Sequence, residues 1–261
     1  MISDKSHKAR KRFGQNFLHD HHVIENIVAN LQIESGDHIV EIGPGKGALT
    51  RLILASSVQL DIIEIDRDLV ELLKQQFEAQ ENLRIISADA LKFDFSSLHK
   101  KNEKLRIIGN LPYNISTPLL FHLFENFSCI KDMHFMLQKE LVDRICADPG
   151  TKKYGRLSVM SQFYCSVEPL FEVAPESFTP SPKVISAVVK LTPHCQPPVQ
   201  VKSLTNLNKV VRTAFSQRRK TLRNSLKSLI SEENIKALSI DPCLRAESIS
   251  LNDFAKLSNT I

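Results

Sequence analysis

Residues 38–50 read HIVEIGPGKGALT, and this stretch decides the fold. Its first five residues are a β-branched, apolar run of strand length, and the glycines at 43, 45 and 47 fall where a strand hands over to a helix. Glycine there lets the chain turn sharply and lets a ligand approach the main chain closely. Similar runs recur at 60–65 (LDIIEI), 105–108 (LRII) and 133–137 (MHFML). Between them, segments 67–78, 116–125 and 140–147 carry apolar residues at helical spacing, as in Leu69, Leu72, Leu73 and Phe77. The alternation predicts βαβ units: an α/β fold with a parallel sheet covered by helices on both faces.

A last strand, VISAVVKL at 184–191, is followed by the proline-rich TPHCQPP at 192–198, which reads as a linker. The expected division is therefore 1–193 and 199–261. The second part is a small all-α domain, with one helix through Leu207, Val210, Val211, Ala214 and Phe215 and another through Leu222, Leu226, Leu229 and Ile230.

Composition narrows the class. The chain has 261 residues, 42% of them hydrophobic and 24% charged, which supports a full core and excludes wholesale disorder. Five scattered cysteines without a C-x-x-C pair argue against a disulfide framework or a zinc knuckle. No apolar run approaches the ~18 residues of a membrane span, and the first residues are polar and basic, so a cytoplasmic protein is expected. The net charge of +5 is mild, but its distribution is not. From His194 through Ser231 there is no acidic residue, while Lys202, Lys209, Arg212, Arg218, Arg219, Lys220, Arg223 and Lys227 are basic. Lys5, Lys8, Arg10, Lys11 and Arg12 form a second cluster.

The glycine loop alone does not choose between cofactors, since Gly43, Gly45 and Ala48 also satisfy the looser dinucleotide fingerprint, with Glu64 at the distance where a nicotinamide enzyme holds its ribose. Three further features favour S-adenosylmethionine. Glu41, just ahead of the glycines, gives an anionic lining that suits a sulfonium cation. Asp89, in SADAL at 87–91, stands where it would accept from the adenine amine, leaving Glu64 for both ribose hydroxyls. The third is Asn110-Leu111-Pro112-Tyr113, at the end of the strand that begins at Leu105.

That tetrapeptide fits methylation of an aromatic amine. The lone pair of adenine N6 is delocalised into the ring, so the nitrogen is a poor nucleophile. The Asn110 side-chain oxygen and the Leu111 carbonyl would hold its two N–H groups and draw it toward tetrahedral geometry. Pro112 stiffens the turn, and Tyr113 would stack on the flipped base and steady the positive charge passed to nitrogen. No strong general base is required, because the alkylated nitrogen is itself acidic.

With these residues together, the chain resembles the KsgA (RsmA) family of small-subunit, 16S ribosomal RNA adenine N6,N6-dimethyltransferases. The likeness spans nearly the whole chain, through FGQNFL at 13–18, EIGPGKGALT at 41–50, EIDRDL at 64–69, NLPYNISTPLL at 110–120, FTPSPKVISAV at 178–188 and AFSQRRKTLRNSL at 214–226. It implies a Rossmann-like S-adenosylmethionine methyltransferase sheet with a small C-terminal all-α domain. It further implies that Asn16 and Leu18, in a mobile segment within residues 1–20, join Gly43, Glu64, Asp89 and Asn110 in holding the cofactor, and that Phe178 packs the target adenine opposite Tyr113. The implied reaction is dimethylation of two adjacent adenosines in a hairpin loop near the 3′ end of 16S rRNA, in the small ribosomal subunit or its precursor during assembly. A monomer without a membrane partner is expected.

Two features remain. His19, His21 and His22 around Asp20 invite a metal, but an exposed loop and a chemistry with no metal step make solvated histidines the expectation. In the tail, Arg219, Arg223 and Lys227 recur every four residues, and this stripe with Arg218-Arg219-Lys220 is expected to dock rRNA phosphates. Three rival readings stand beside this one. They are a large-subunit rRNA adenine methylase of the antibiotic-resistance type, a nicotinamide oxidoreductase, which leaves NLPY unexplained, and an assembly factor with an unused site.

Overall fold

The computed structural model describes residues 10, 14–99, 103–217 and 219–261. Lys5, Lys8, Lys11, Arg12 and Arg218 lie outside the described residues. In chain order the elements are β1 (Phe17–Leu18), α1 (His21–Leu31), β2 (His38–Ile42), α2 (Ala48–Leu54), β3 (Gln59–Glu64), α3 (Arg67–Gln76), β4 (Leu83–Ser87), β5 (Leu105–Asn110), α4 (Ser116–Glu125) and β6 (Ile130–Gln138). There follow α5 (Lys139–Ile145), α6 (Arg156–Tyr164), β7 (Cys165–Val173), β8 (Phe178–Thr179), β9 (Ser186–Pro193), α7 (Leu204–Phe215), α8 (Leu222–Ser225), α9 (Glu232–Ala237) and α10 (Leu251–Ser258).

Seven strands form one sheet in the order β4-β3-β2-β5-β6-β9-β7, and β1 pairs with β8 in a separate two-stranded ladder. β2 through β6 run parallel, whereas β9 joins β6 antiparallel. The sheet is thus mixed rather than wholly parallel: the last strand returns beside β6 against its direction, with Met136 opposite Val188. β2 is buried at all five positions, as expected of a central strand covered on both faces. The chain builds the sheet outward on both sides of β2, so the crevice beyond the carboxyl ends of β2 and β5 is a topological switch point, where such sheets take ligands.

The chain divides into two compact units, one from Met1–Val142 and Glu168–Pro193, the other from Asp143–Val167 and His194–Ile261. A single cut near residue 193 therefore misassigns Asp143–Val167. The physical reason is α6: Leu157 and Met160 are buried, the helix packs on α7 and α10, and the Tyr154 ring meets that of Phe215 edge-on at 6.1 Å. Phe215 in turn lies 5.6 Å from Phe254 of α10. On α7, Leu207, Val210, Val211 and Ala214 make one buried face at helical spacing.

The second tail helix is also shorter than its periodicity predicts. Thr221 bridges Arg245 in extended conformation, and the N–H groups of Leu222 and Arg223 donate to the carbonyls of Leu244 and Pro242. Those bonds replace helical ones, so α8 is four residues long and Arg219, Arg223 and Lys227 do not share a helix. Leu222, Leu226 and Ile230 are still buried. No helix among the described residues is long and apolar enough to cross a membrane.

Candidate active site

Four strand ends and the segment before α1 enclose one cavity of about 490 Å³ within the first unit. The turn after β2 brings Gly43 and Gly45, the end of β3 brings Glu64, the turn after β4 brings Asp89, and the end of β5 brings Asn110, Leu111 and Tyr113. Asn16 and Leu18, from the segment before α1, also line it. Gly45 has φ +58°, and a Cβ there would come within 3.0 Å of the Phe17 ring, so only glycine lets this ring lie on the loop. The Lys46 ammonium sits 5.1 Å from the same ring centre.

The lining is acidic. Glu41 is 1% exposed, and burial, with the Glu64 charge adding to it, pushes its carboxyl up to about 7 even though Thr50 Oγ1 donates to it at 2.6 Å. Burial likewise raises Glu64, opposed by backbone N–H groups that include Asp66 N at 2.8 Å. Asp89 Oδ1 accepts from Leu91 N at 3.0 Å, so this residue caps its own turn while it faces the cavity.

The NLPY turn is fixed from several sides. Leu111 N–H donates to the Met136 carbonyl at 3.2 Å, and the Pro112 carbonyl accepts from Ile115 N at 3.1 Å and Ser116 Oγ at 2.9 Å. The Tyr113 hydroxyl and Ser186 Oγ share a hydrogen bond of 3.0 Å, which ties the ring to β9. Behind the turn, a Cβ on Gly109 would lie 2.6 Å from the Ile42 carbonyl, so β5 and β2 approach as closely as they do only because that side chain is absent.

The segment before α1 straps this mouth. The Asn110 side-chain amide donates to the Asn16 carbonyl at 3.1 Å, Leu18 pairs with Phe178 across β1 and β8, and His19 N donates to the Ser177 carbonyl at 3.0 Å. Arg10 Nη1 and Gln15 Nε2 both reach the buried Asp66 carboxylate, at 2.8 and 3.2 Å. Asp20 caps α1 through His22 N and Val23 N and accepts from Ser177 Oγ at 3.0 Å. Its oxygens are engaged by the start of α1 and by Ser177, and no group of three His, Cys, Asp or Glu among the described residues could hold a metal.

The sequence profile of the ribosomal RNA adenine dimethylase family matches residues 6–261. The chain belongs to that family. Ribosomal RNA small subunit methyltransferase A of a Marinomonas species is 53% identical over 261 residues, covering 100% of this chain and 98% of its own. Its counterpart of the same name in Pseudomonas aeruginosa is 54% identical over 255 residues, covering 98% and 95%. Among solved structures, a dimethyladenosine transferase from Plasmodium falciparum has a TM-score of 0.75 at 28% identity, covering 92% of this chain and 95% of that one. The 23S rRNA methyltransferase ErmE has a TM-score of 0.72 at 24% identity, covering 93% and 98%, and so shares the fold.

As a ribosomal RNA adenine dimethylase the protein uses S-adenosylmethionine, and the residues present fit that cofactor. Glu41, Glu64 and Asp89 line one cavity, and carboxylates there would suit a sulfonium cation, a ribose diol and an adenine amine.

The remaining residues of this dimethylase singled out by sequence lie elsewhere. Phe178 is 3% exposed, buried in the apolar cluster with Leu18, Ile24 and Val188, and only its neighbour Thr179 borders the cavity. Arg219, Lys220, Arg223 and Lys227 are exposed on the second unit, and Arg223 faces Glu232 at 3.9 Å. Sequence reasoning missed Thr50, the buried partner of Glu41, and Ser186, the partner of Tyr113; a hydroxyl residue in an apolar run is the one signal either gives.

Proposed function

We propose that this protein dimethylates N6 of two adjacent adenosines in the 3′-terminal hairpin loop of 16S rRNA, in the small ribosomal subunit or its precursor, using S-adenosylmethionine in the cytoplasm. The observation that carries the reading is the meeting of Asn110, Leu111 and Tyr113 with Glu64 and Asp89 on one cavity. The bound cofactor supplies an electrophilic methyl group. Asn110 Oδ1 and the Leu111 carbonyl hold the amine N–H groups, and Tyr113 stacks on the base, so the chain acts mainly by positioning and by electrostatics at a developing cation. The resemblance gives Phe178 the opposite side of the base, and its place beside Thr179 at the cavity rim supports that reading only through its neighbour.

The small-subunit substrate is favoured over the large one because the relatives above half identity are named for the small subunit over their full length. The chain would be incubated with tritiated S-adenosylmethionine and unmethylated small or large subunits, and the labelled nucleoside identified after digestion. Dimethyladenosine from the small subunit alone is expected. Label from the large subunit overturns the choice of substrate, and no label from either overturns the activity.

A further inference from the structure

Glu41 and Thr50 form a pair that the transfer chemistry does not use. Glu41 stands next to last on β2, Thr50 in the first turn of α2, and both are buried, at 1% and 0% exposure. Their side chains meet across the glycine loop at 2.6 Å. A threonine hydroxyl donating to a carboxyl favours the carboxylate, because the charged acceptor makes the stronger bond. Thr50 therefore opposes the burial of the acid. Glu41 is also among the residues that line the cavity, so the buried pair sits directly behind the glycine loop at the pocket.

The other groups that bear on it are few. Glu64 on β3 carries the charge that disfavours ionisation of Glu41. Asp89, Lys46, His19 and Tyr113 are the further titratable groups that line the cavity. The acids outnumber the lone lysine there. Lys46 is exposed and lies over the Phe17 ring. Burial raises the Glu41 carboxyl to about 7, and a cation brought beside it would favour the ionised form.

We infer that Thr50 is a positioning residue that holds Glu41 ready to ionise, so that binding of the cationic cofactor releases a proton from Glu41 to solvent. The balance is simple: the Glu41 O–H bond breaks, the proton leaves to buffer, and the carboxylate accepts from Thr50 on one side and faces the cofactor cation on the other. This rests on the assignment of the cavity to S-adenosylmethionine.

The test is calorimetric titration of the full chain with S-adenosylmethionine in buffers of different ionisation enthalpy, at pH values of about 6, 7 and 8. Wild type should release close to one proton near pH 6 and progressively fewer as pH rises. Glu41→Gln should bind without that release. Thr50→Val should move the release to higher pH and weaken binding near pH 7 by roughly fivefold, as expected if the carboxyl rises by about one unit, and Thr50→Ser should restore both. Equal release by wild type and Glu41→Gln overturns the inference. So does a Thr50→Val chain that melts earlier yet keeps the wild-type proton profile. Wild type that gives no binding at all overturns the cofactor assignment and this inference with it, whereas binding with a flat proton profile overturns the inference alone.

Discussion

The side-chain amide of Asn110 donates to the backbone carbonyl of Asn16 at 3.1 Å, so the residue proposed to orient the target amine also fastens the strap over the cavity. Asn110→Asp keeps acceptor oxygens toward the base but removes that donor and sets a carboxylate against a carbonyl. Methyl transfer is expected to fall by ~100-fold or more, the scale of losing one preorganised contact. Amide hydrogen exchange at residues 14–18 should quicken at the same time. Unchanged exchange alongside lost activity would separate the two roles.

Glu41 makes stability depend on pH in a direction opposite to most carboxylates. Its folded-state value of about 7 lies above the ordinary 4.5, so the protonated form is the one the fold favours. The relative stability is full below the ordinary value and is lost as pH rises through about 7, a cost on the order of 3 kcal/mol above that range. Glu41→Gln should therefore raise the melting temperature of the ligand-free protein at pH 8, with the gain vanishing near pH 4. A gain independent of pH would refute the assignment.

Gly109→Ala tests the close approach of β5 to β2. A methyl group 2.6 Å from the Ile42 carbonyl must push apart two strands in the middle of the sheet. The expected loss is about 1–3 kcal/mol, a fall of several degrees in thermal unfolding, with cofactor affinity reduced because both strand ends line the cavity.

Arg219→Glu with Arg223→Glu addresses the tail. If these exposed residues dock phosphates, rRNA binding should weaken and the salt slope of log K should shrink by about two, while cofactor binding stays as it was. A salt slope equal to wild type would remove both residues from the RNA contact.

The central sheet was legible because its strands are buried on both faces. Ile39, Val40, Ile62, Ile63, Ile107 and Ile108 make runs that need no alternation to be recognised. α4 reads directly from Leu119, Leu120, Leu123 and Phe124. β7 gives no such signal: CSVEPLFEV contains Pro169 and is mostly half-exposed, which the edge of a sheet tolerates. The 219–227 stripe misled because helical periodicity cannot foresee a distant segment, here Pro242–Arg245, claiming the backbone donors. In the site, Glu64, Asp89 and Asn110 could be read from their places after strands, but the Thr50–Glu41 bond exists only once the glycine loop folds α2 back beside β2.

The excursion of Asp143–Val167 into the helical unit has a bearing on how relatives can be recombined. Because that unit is assembled from two stretches separated by Glu168–Pro193, it is not a cassette that can be exchanged at one junction. A chimera carrying only a foreign stretch after Pro193 would set a new α7 and α10 against the resident α6, with Tyr154 left to find a ring in place of Phe215. Viable hybrids must carry both pieces from one parent, and drift at Tyr154 is constrained by Phe215, more than fifty positions away in the chain.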